Sequence, residues 1–291
     1  MTPDPIDAPP RSAHVPSALE VERRAYRARQ SQRSVLIAVA SSLAFAAIVW
    51  VTVVNTPGWA AVQRSFFDPA IALASLPRIW EGFLLNLQVL GLSLITVAAF
   101  ALVLALLRTL PGPVFFPLRV LAAAYTDIFR GLPFIIVLYI IGFGLPALIG
   151  VRMPVIVLGT IAVTLTYSAY VSEVIRAGID AVHPSQRLAA RALGLGYLQT
   201  LRRVVLPQAF RKITPPLMND FVAMQKDVGL ISILGAMDAV LAAKIESSQT
   251  YNFTPYIVAG ILFILLAIPT IRLTDWYAAR LRRREQTGSL V

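Results

Sequence analysis

Six stretches of mostly apolar residues divide the chain, and polar segments separate them. A helix needs roughly 20 mostly apolar residues to cross a lipid bilayer. Four stretches are continuous enough to do so: residues 34–54, residues 82–107, residues 155–175 and a last stretch that starts at Tyr256. Two others, residues 114–146 and 215–243, are interrupted by polar and charged side chains. The pattern predicts an all-α integral membrane protein with about six transmembrane helices, two of them broken.

Clusters of arginine orient these predicted spans. Such clusters precede the first span, follow the fourth and follow the sixth. Loops on the cytoplasmic side of a membrane are enriched in arginine and lysine. With six spans all three clusters lie on one side, whereas residues 55–79 and the link near Arg152 are poor in cations. We therefore expect a multi-pass protein with cytoplasmic N- and C-termini.

The composition agrees with a chain surrounded by lipid. It is 57% hydrophobic and 14% charged, whereas soluble domains are about 25% charged. The net charge of +11 is accounted for by the loop arginines, and without a basic soluble domain we expect no nucleic-acid partner. Cysteine is absent, which excludes thiolate ligands, and we expect no metal site. Residues 1–20 are polar and rich in proline, which predicts a disordered tail rather than a cleavable signal.

The polar segment after the fourth span combines arginines with regularly spaced apolar residues. It reads RLAARALGLGYLQTLRRVVLPQ over residues 187–208. The spacing predicts two short amphipathic helices. Gly194 and Gly196 would allow a tight turn between them, and Pro207 would end or bend the second. From the residues alone, two surfaces fit such a segment: a groove on another protein or a layer of anionic lipid.

This segment resembles the EAA loop of bacterial ABC importer permeases. That loop has a triplet of small residues, a glycine, and a Leu-Pro pair at fixed spacing. The matching residues here are Leu188, Ala189, Ala190, Gly194, Leu206 and Pro207. The segments FRGLP, AYVSEVIRAGI, LPQAFRKITPPLMNDF and KDVGLIS resemble the polar amino-acid uptake branch of the same family. The resemblance covers about residues 81–284.

The resemblance implies a function and a set of partners. The chain would be the membrane-spanning permease subunit of an ATP-driven importer in the bacterial cell membrane. It would translocate a polar amino acid, or a related compound, delivered by an extracytoplasmic amino-acid-binding protein. It would pair with a second permease copy or a sister permease, and with two ATPase subunits that hold ATP and Mg²⁺. The EAA-like residues would couple it to those subunits.

The resemblance also implies a domain organisation. A five-helix permease core would follow one extra helix at the N-terminus. The expected segments are a cytoplasmic tail (1–33), an accessory transmembrane helix (34–54), an external link (55–80), the permease domain (81–284) and a C-terminal tail (285–291). Three residues depart from the family pattern: Leu188 replaces the usual acidic residue, Gly229 the usual serine and Leu132 a frequent threonine.

The chain has no catalytic motif of its own. It lacks the G-x-x-x-x-G-K-[ST] loop that holds nucleotide phosphates, and it shows no nucleophile paired with a base. We expect no enzymatic activity and no cofactor in this chain. An ion-driven secondary transporter is the alternative function, although the sequence shows no internal repeat of the kind common in that class. A membrane scaffold that transports nothing is a further alternative, which the polar breaks in two spans disfavour.

Ionisable residues inside predicted spans are candidates for the substrate pathway, because they are costly in a bilayer. Arg130 is followed at once by Gly131 and Pro133, which should break the helix and expose amide donors that favour an anion. We expect Arg130 to bind the substrate carboxylate, and Asp227, in the other broken span, to accept the α-ammonium group. Thr164 is a further candidate. The alternatives are an interfacial role for Arg130 and an internal pair between Lys226 and Asp227, while for Glu173 a structural salt bridge is favoured.

Overall fold

The computed structural model describes residues 17–110 and 112–288, without the side chains of residues 24, 25, 28 and 282–288. The predicted disordered tail therefore lies almost wholly outside the described residues. Two compact units divide the chain, Met1–Val62 and Gln63–Val291. The first unit contains helix α1 (Ala18–Val54), whose N-terminus is capped by the Ser17 side chain. Helix α2 (Trp59–Phe66) crosses the boundary.

The described part of the second unit is helical and contains no strand. Its helices are α3 (Pro69–Thr109), α4 (Phe116–Gly131), α5 (Phe134–Tyr139), α6 (Leu145–Ile149), α7 (Val155–Asp180), α8 (Pro184–Ala192), α9 (Tyr197–Thr200), α10 (Leu206–Asp227), α11 (Ala239–Thr250) and α12 (Thr254–Gly288). Four helical segments are long and apolar enough to cross a membrane: Arg29–Val54, Trp59–Thr109, Val155–Asp180 and Thr254–Leu281. Two bent pairs, Pro113–Gly131 with Phe134–Ile149 and Tyr197–Leu234 with Ala239–Thr250, raise the number to six if each pair is one span. The all-α membrane fold is confirmed, with four to six candidate spans, and both stretches predicted to be broken are bent.

The segment predicted as an external link, residues 55–80, is helical over most of its length. Asp68 caps α3 there by accepting hydrogen bonds from the backbone N–H groups of Ala70 and Ile71 at 2.9 and 3.2 Å. Pro69 suits the first turn, where its missing N–H has no helical partner to lose. Helix α3 therefore starts well before the apolar run that begins at residue 82.

Both broken spans have a local cause in the sequence. Helix α4 ends at Gly131, and Leu132 is extended, with φ −89° and ψ 133°, because a residue before proline is driven out of the helical region. The next helix leaves at 107°. Helix α10 ends at Asp227 and passes through a 3-10 segment, Val228–Leu234, to Gly235, whose φ is +81°. A 56° bend separates it from α11.

A buried polar network fixes the second break. The side-chain amide of Asn86, on α3, donates to the carbonyl oxygen of Val228 at 2.9 Å and to Oδ2 of Asp238 at 3.1 Å. Its carbonyl oxygen accepts from the backbone N–H of Ala239 at 3.1 Å. Asn86 and Asp238 are both fully buried. Because buried polar groups are costly unless bonded, this network holds the segment after Asp227 in one position against α3.

Gly82 allows α3 and α11 to approach closely. A Cβ atom at this position would lie 2.4 Å from the backbone carbonyl carbon of Asp238 and 2.6 Å from the backbone nitrogen of Ala239. We expect Gly82→Ala to destabilise the protein by about 1–3 kcal/mol, as overpacking does. Gly91→Ala, in the same helix with nothing within 4 Å of its Cβ position, is the matched control.

Thermal unfolding of the two variants in detergent checks this. Gly82→Ala should lower the unfolding midpoint, while Gly91→Ala should leave it unchanged or raise it, because alanine favours the helix. Equal midpoints for the two variants would contradict the close packing at Gly82.

Candidate functional site

A cavity of about 350 Å³ opens between the two broken spans. The first break contributes Leu132, Pro133 and Phe134 to its wall, α7 contributes two tyrosines and a threonine, and α10 contributes two aspartates. The volume lies in the range of small-molecule sites, about 300–1,000 Å³. Apolar walls with a few convergent polar groups are also typical of such sites.

Helical spacing brings the polar lining residues together. On α7, Thr166, Tyr167 and Tyr170 lie within one turn of each other and line the cavity. On α10, Asp220 and Asp227 are seven residues apart, so two turns of helix bring both to the same face. One face of each helix therefore supplies the polar chemistry of the cavity.

The hydrogen bonds in the cavity are incomplete. The Tyr167 hydroxyl donates to Oδ2 of Asp227 at 2.8 Å. Within the described part of the chain, Oδ2 of Asp220 and the hydroxyl oxygen of Thr166 are buried and have no hydrogen-bond partner. Since buried polar atoms in folded proteins almost always have a partner, these two atoms are available to a molecule or water in the cavity.

Arg130 borders this cavity at the end of α4. Its guanidinium carbon lies 5.8 Å from the centre of the Tyr170 ring, within the range of a cation–π contact. The Tyr170 hydroxyl donates to the Arg130 carbonyl oxygen at 3.2 Å. The side chain is exposed and forms no ion pair with Asp127 or any other described residue. Arg130 is thus a free cation held at the cavity edge by Tyr170.

The structure separates the predicted pathway residues into two groups. Asp227 lines the cavity, and Gly131 is the last residue of α4, beside Arg130. Thr164 lies elsewhere: its hydroxyl is 2.6 Å from that of Thr96 on α3 and donates to its own helix at the Thr160 carbonyl oxygen, 2.7 Å away. Lys226 is exposed, and no ion pair joins it to Asp227 in the part of the chain that the structure describes.

Asp220 is the cavity residue that the sequence interpretation missed. Its signal was present, since it is an acid inside the same broken span as Asp227 and two turns before it. Only the packing of α10 against α7 shows that it shares a cavity with Tyr167 and Tyr170.

The basic segment folds into the two predicted short helices, α8 and α9. Gly194 joins them with a φ of +78°, a conformation that glycine adopts without strain. The N–H of Gly194 donates to the carbonyl oxygen of Arg191 at 2.9 Å. The N–H of Leu195 donates to the carbonyl oxygen of Ala190 at 3.1 Å. These bonds close the C-terminus of α8, so the turn is sharp and well defined.

This turn presents an apolar surface, which we call the loop surface: Leu188, Leu193 and Leu198. These side chains are 64%, 83% and 72% exposed. Ala190 is instead buried, at 3% exposure, and Ala189 is exposed. Exposed leucines grouped among arginines indicate a surface that is covered by a partner or by lipid.

The prediction that Pro207 ends or bends the second helix needs correction. Helix α9 passes through a π-helical turn, Leu201–Val205, directly into α10, which starts at Leu206. Pro207 is the second residue of α10 and follows the π-helical turn directly, so the helix continues through it. The residues that match the Leu-Pro pair therefore lie at the start of α10 rather than at the end of the loop.

The loop is tied to the end of α7 by polar and apolar contacts. The Arg187 guanidinium donates to the carbonyl oxygen of Ile179 at 2.5 Å, and Nζ of Lys212 donates to the carbonyl oxygen of Ala181 at 2.7 Å. A small cluster of buried residues packs beneath: Ile179, Val182, Val205 and Ala209. The turn and the C-terminal end of α7 are therefore held together.

The structural salt bridge expected for Glu173 is present. Its carboxylate pairs with Arg108 on α3 at 2.5 Å and also with Arg176, one turn further along α7. Arg176 in turn pairs with Asp180 at 2.7 Å. This network joins α3 to α7 next to the loop and leaves Glu173 outside the cavity.

Comparison with known proteins gives one consistent result. Residues 112–283 match the family described as "Binding-protein-dependent transport system inner membrane component". The arginine transport system permease protein ArtQ of Bacillus subtilis (strain 168) is 34% identical over 202 residues, 69% of this chain and 91% of the relative. A putative glutamine transport system permease protein, GlnP of Rickettsia bellii (strain RML369-C), is 40% identical over 191 residues, 65% of this chain and 86% of the relative. A solved amino acid ABC transporter with histidines matches with a TM-score of 0.67 and 31% identity, covering 73% of this chain and 98% of that one.

Proposed function

The chain belongs to the family of binding-protein-dependent transport system inner membrane components, and we propose that it is the membrane-spanning subunit of an ATP-driven importer for a polar amino acid. The relatives named for arginine and glutamine transport support this substrate class. Family membership also favours this function over an ion-driven secondary transporter. The bacterial cell membrane, with both termini in the cytoplasm, is its proposed location.

The observation that carries the substrate proposal is the cavity between the two broken spans. An amino acid in water is a zwitterion, so a site for it needs one group that binds an anion and one that binds a cation. Arg130 offers a planar pair of donors suited to a carboxylate. Asp227, which lines the cavity from α10, offers an acceptor for the α-ammonium group. Gly131 permits the break that leaves Arg130 at the cavity edge, whereas Thr164 bonds to Thr96 and is assigned no part in this cavity.

The loop surface supports a second part of the proposal, contact with the ATPase. Its three exposed leucines (Leu188, Leu193, Leu198) suit insertion into an apolar groove on that subunit. With Leu188 in place of an acid, the contact at this position would be apolar rather than ionic. Ala189 would border the contact, whereas the buried Ala190, with Leu206 and Pro207 at the start of α10, would transmit movement of the loop into the broken span.

The importer would contain further subunits. We propose two ATPase subunits that bind ATP and Mg²⁺, a second permease chain of the same or a sister sequence, and an extracytoplasmic binding protein that delivers the amino acid. This chain would perform no ATP hydrolysis itself, and its role is to provide the path and to respond to the ATPase.

Purification of the chain with its partners tests the proposal. An affinity-tagged copy, extracted in mild detergent from the organism that encodes it, should recover an ATPase subunit in comparable amount. An unrelated tagged membrane protein from the same cells is the control. Recovery of the intact chain without any ATPase would contradict the proposed function.

A further inference from the structure

The cavity between the broken spans carries more negative charge than a neutral amino acid requires. Among the described residues that line it, the charged ones are Asp220 and Asp227. Arg130 is the cation assigned to this cavity, because its guanidinium contacts the lining residue Tyr170, whereas no such contact joins the exposed Lys226 to a lining residue in the described part of the chain. The cavity with its border thus has two carboxylates and one guanidinium.

A neutral amino acid bound in this cavity would leave one of the two aspartates without a counter-charge. The α-carboxylate of a bound amino acid would neutralise Arg130, and its α-ammonium group would neutralise one aspartate. The second aspartate would then face the substrate without a counter-charge. Burial of an unpaired carboxylate costs several kcal/mol, so a neutral substrate would fill this cavity poorly.

Asp220 is the carboxylate that still needs a partner. Asp227 already accepts a hydrogen bond from Tyr167 at 2.8 Å. Oδ2 of Asp220 is buried and lacks any hydrogen-bond partner in the described part of the chain. A hydrogen-bond donor on the substrate could pair with this oxygen, and a positively charged donor would form the strongest hydrogen bond with it.

The spacing of the two carboxylates suits one elongated molecule. Asp220 and Asp227 are seven residues apart on α10, which corresponds to about 10 Å along a helix. An extended arginine or lysine whose two positive groups each donate a hydrogen bond of about 2.9 Å can bridge a separation of this order. The rings of Tyr167, Tyr170 and Phe134 line the same cavity, with centroid distances of 6.1 and 6.4 Å from Tyr167 to the other two. Aromatic faces attract guanidinium and ammonium groups.

We infer that the substrate is an amino acid with a positively charged side chain, and that Asp220 faces that charge. The inference rests on the proposed function and specifies its substrate. It predicts that the site distinguishes arginine from citrulline, which has nearly the same shape but no charge on its side chain.

Equilibrium binding to the purified permease–ATPase complex, without the binding protein, tests the inference directly. The probes are radiolabelled L-arginine and L-citrulline. Wild type should bind arginine at least about tenfold more tightly, because one charge-assisted contact is worth a factor of about ten or more. Asp220→Asn should weaken arginine binding by about tenfold and leave citrulline binding nearly unchanged. Asp127→Asn removes an exposed carboxylate one turn before Arg130 and should change neither.

Two results would overturn the inference. One is equal affinity of the wild-type complex for arginine and citrulline, a comparison that depends on no variant. The other is an unchanged preference for arginine in a folded Asp220→Asn complex. Uptake separates this failure from that of the function: ATP-driven uptake of glutamine but not arginine would reject the cationic substrate alone, and no ATP-driven uptake of any amino acid would reject the proposed function.

Discussion

Replacing Gly194 with valine should lower ATP-driven uptake by about ten- to a hundredfold, while the chain still inserts into the membrane. Gly194 has a φ of +78°, a conformation in which a β-branched residue is strained. Such strain costs about 1–3 kcal/mol, and each 1.4 kcal/mol is about a factor of ten in the population of the productive turn. The turn sets the angle between α8 and α9, and hence the position of the loop surface in its proposed contact with the ATPase. Substrate-stimulated ATP hydrolysis should fall together with uptake.

Two matched variants separate backbone strain from side-chain bulk. Gly194→Asn places a polar side chain at the same site, but asparagine tolerates the left-handed region, so uptake should fall only slightly. Gly196→Val adds the same valine two residues later, where φ is −66° and a Cβ atom would meet nothing within 4 Å. Uptake and ATP hydrolysis in reconstituted vesicles provide the measurement. Normal uptake and normal ATP hydrolysis in Gly194→Val would show that this turn does not couple the ATPase to transport.

Arg130→Ala should reduce uptake by about ten- to a hundredfold. The proposed contact is a charge-assisted hydrogen bond, worth about 1.5–3 kcal/mol, between the guanidinium and the substrate carboxylate. Arg130→Lys should rescue uptake only in part, because lysine keeps the charge but loses the planar pair of donors. Affinity of the binding protein for its amino acid should be unchanged, since that protein lies outside the membrane.

Lys226→Ala is the matched control for this prediction. Lys226 is a cation next to Asp227 in sequence, yet it is exposed and does not line the cavity. Its replacement should leave uptake within about twofold of wild type, as expected for an exposed residue without a strong contact. Assembly of the Arg130→Ala complex is verified by size-exclusion chromatography. Normal uptake by that complex would contradict the substrate contact and favour the alternative, an interfacial role for Arg130.

The membrane fold could be predicted because its main signals are local. A run of apolar residues long enough for a bilayer identifies a span without reference to packing. The break after Gly131 is equally local, because Pro133 restricts the residue before it. The start of α3 at Pro69 was not predicted, since hydropathy identifies the part of a helix that contacts lipid and not the turns that extend beyond it. Pro207 was placed wrongly because a proline ends one helix or begins another according to its neighbours, and here a π-helical turn leads into it.

The cavity could be predicted only in part. Arg130 and Asp227 were identifiable because a charge inside an apolar span is costly wherever it lies. Asp220 carries the same signal but was overlooked, and the tyrosines were not identifiable because their position in the cavity depends on how α7 packs against α10. Thr164 was chosen for its polarity within a span, but sequence cannot tell which face of a buried helix meets a neighbour. In the structure that neighbour is Thr96 on α3.

Measuring the energy source for uptake tests most directly whether the chain is part of an ATP-driven importer. The purified complex is reconstituted into lipid vesicles with ATP and Mg²⁺ inside, and the binding protein loaded with radiolabelled arginine is added outside. Ionophores that abolish proton and sodium gradients are included in a parallel sample. An ATP-driven importer should move arginine out of the binding protein and across the membrane with ATP alone, at the same rate with and without ionophores, and not at all when ADP replaces ATP. Uptake that needs no nucleotide and stops when the ion gradients are removed would contradict the account.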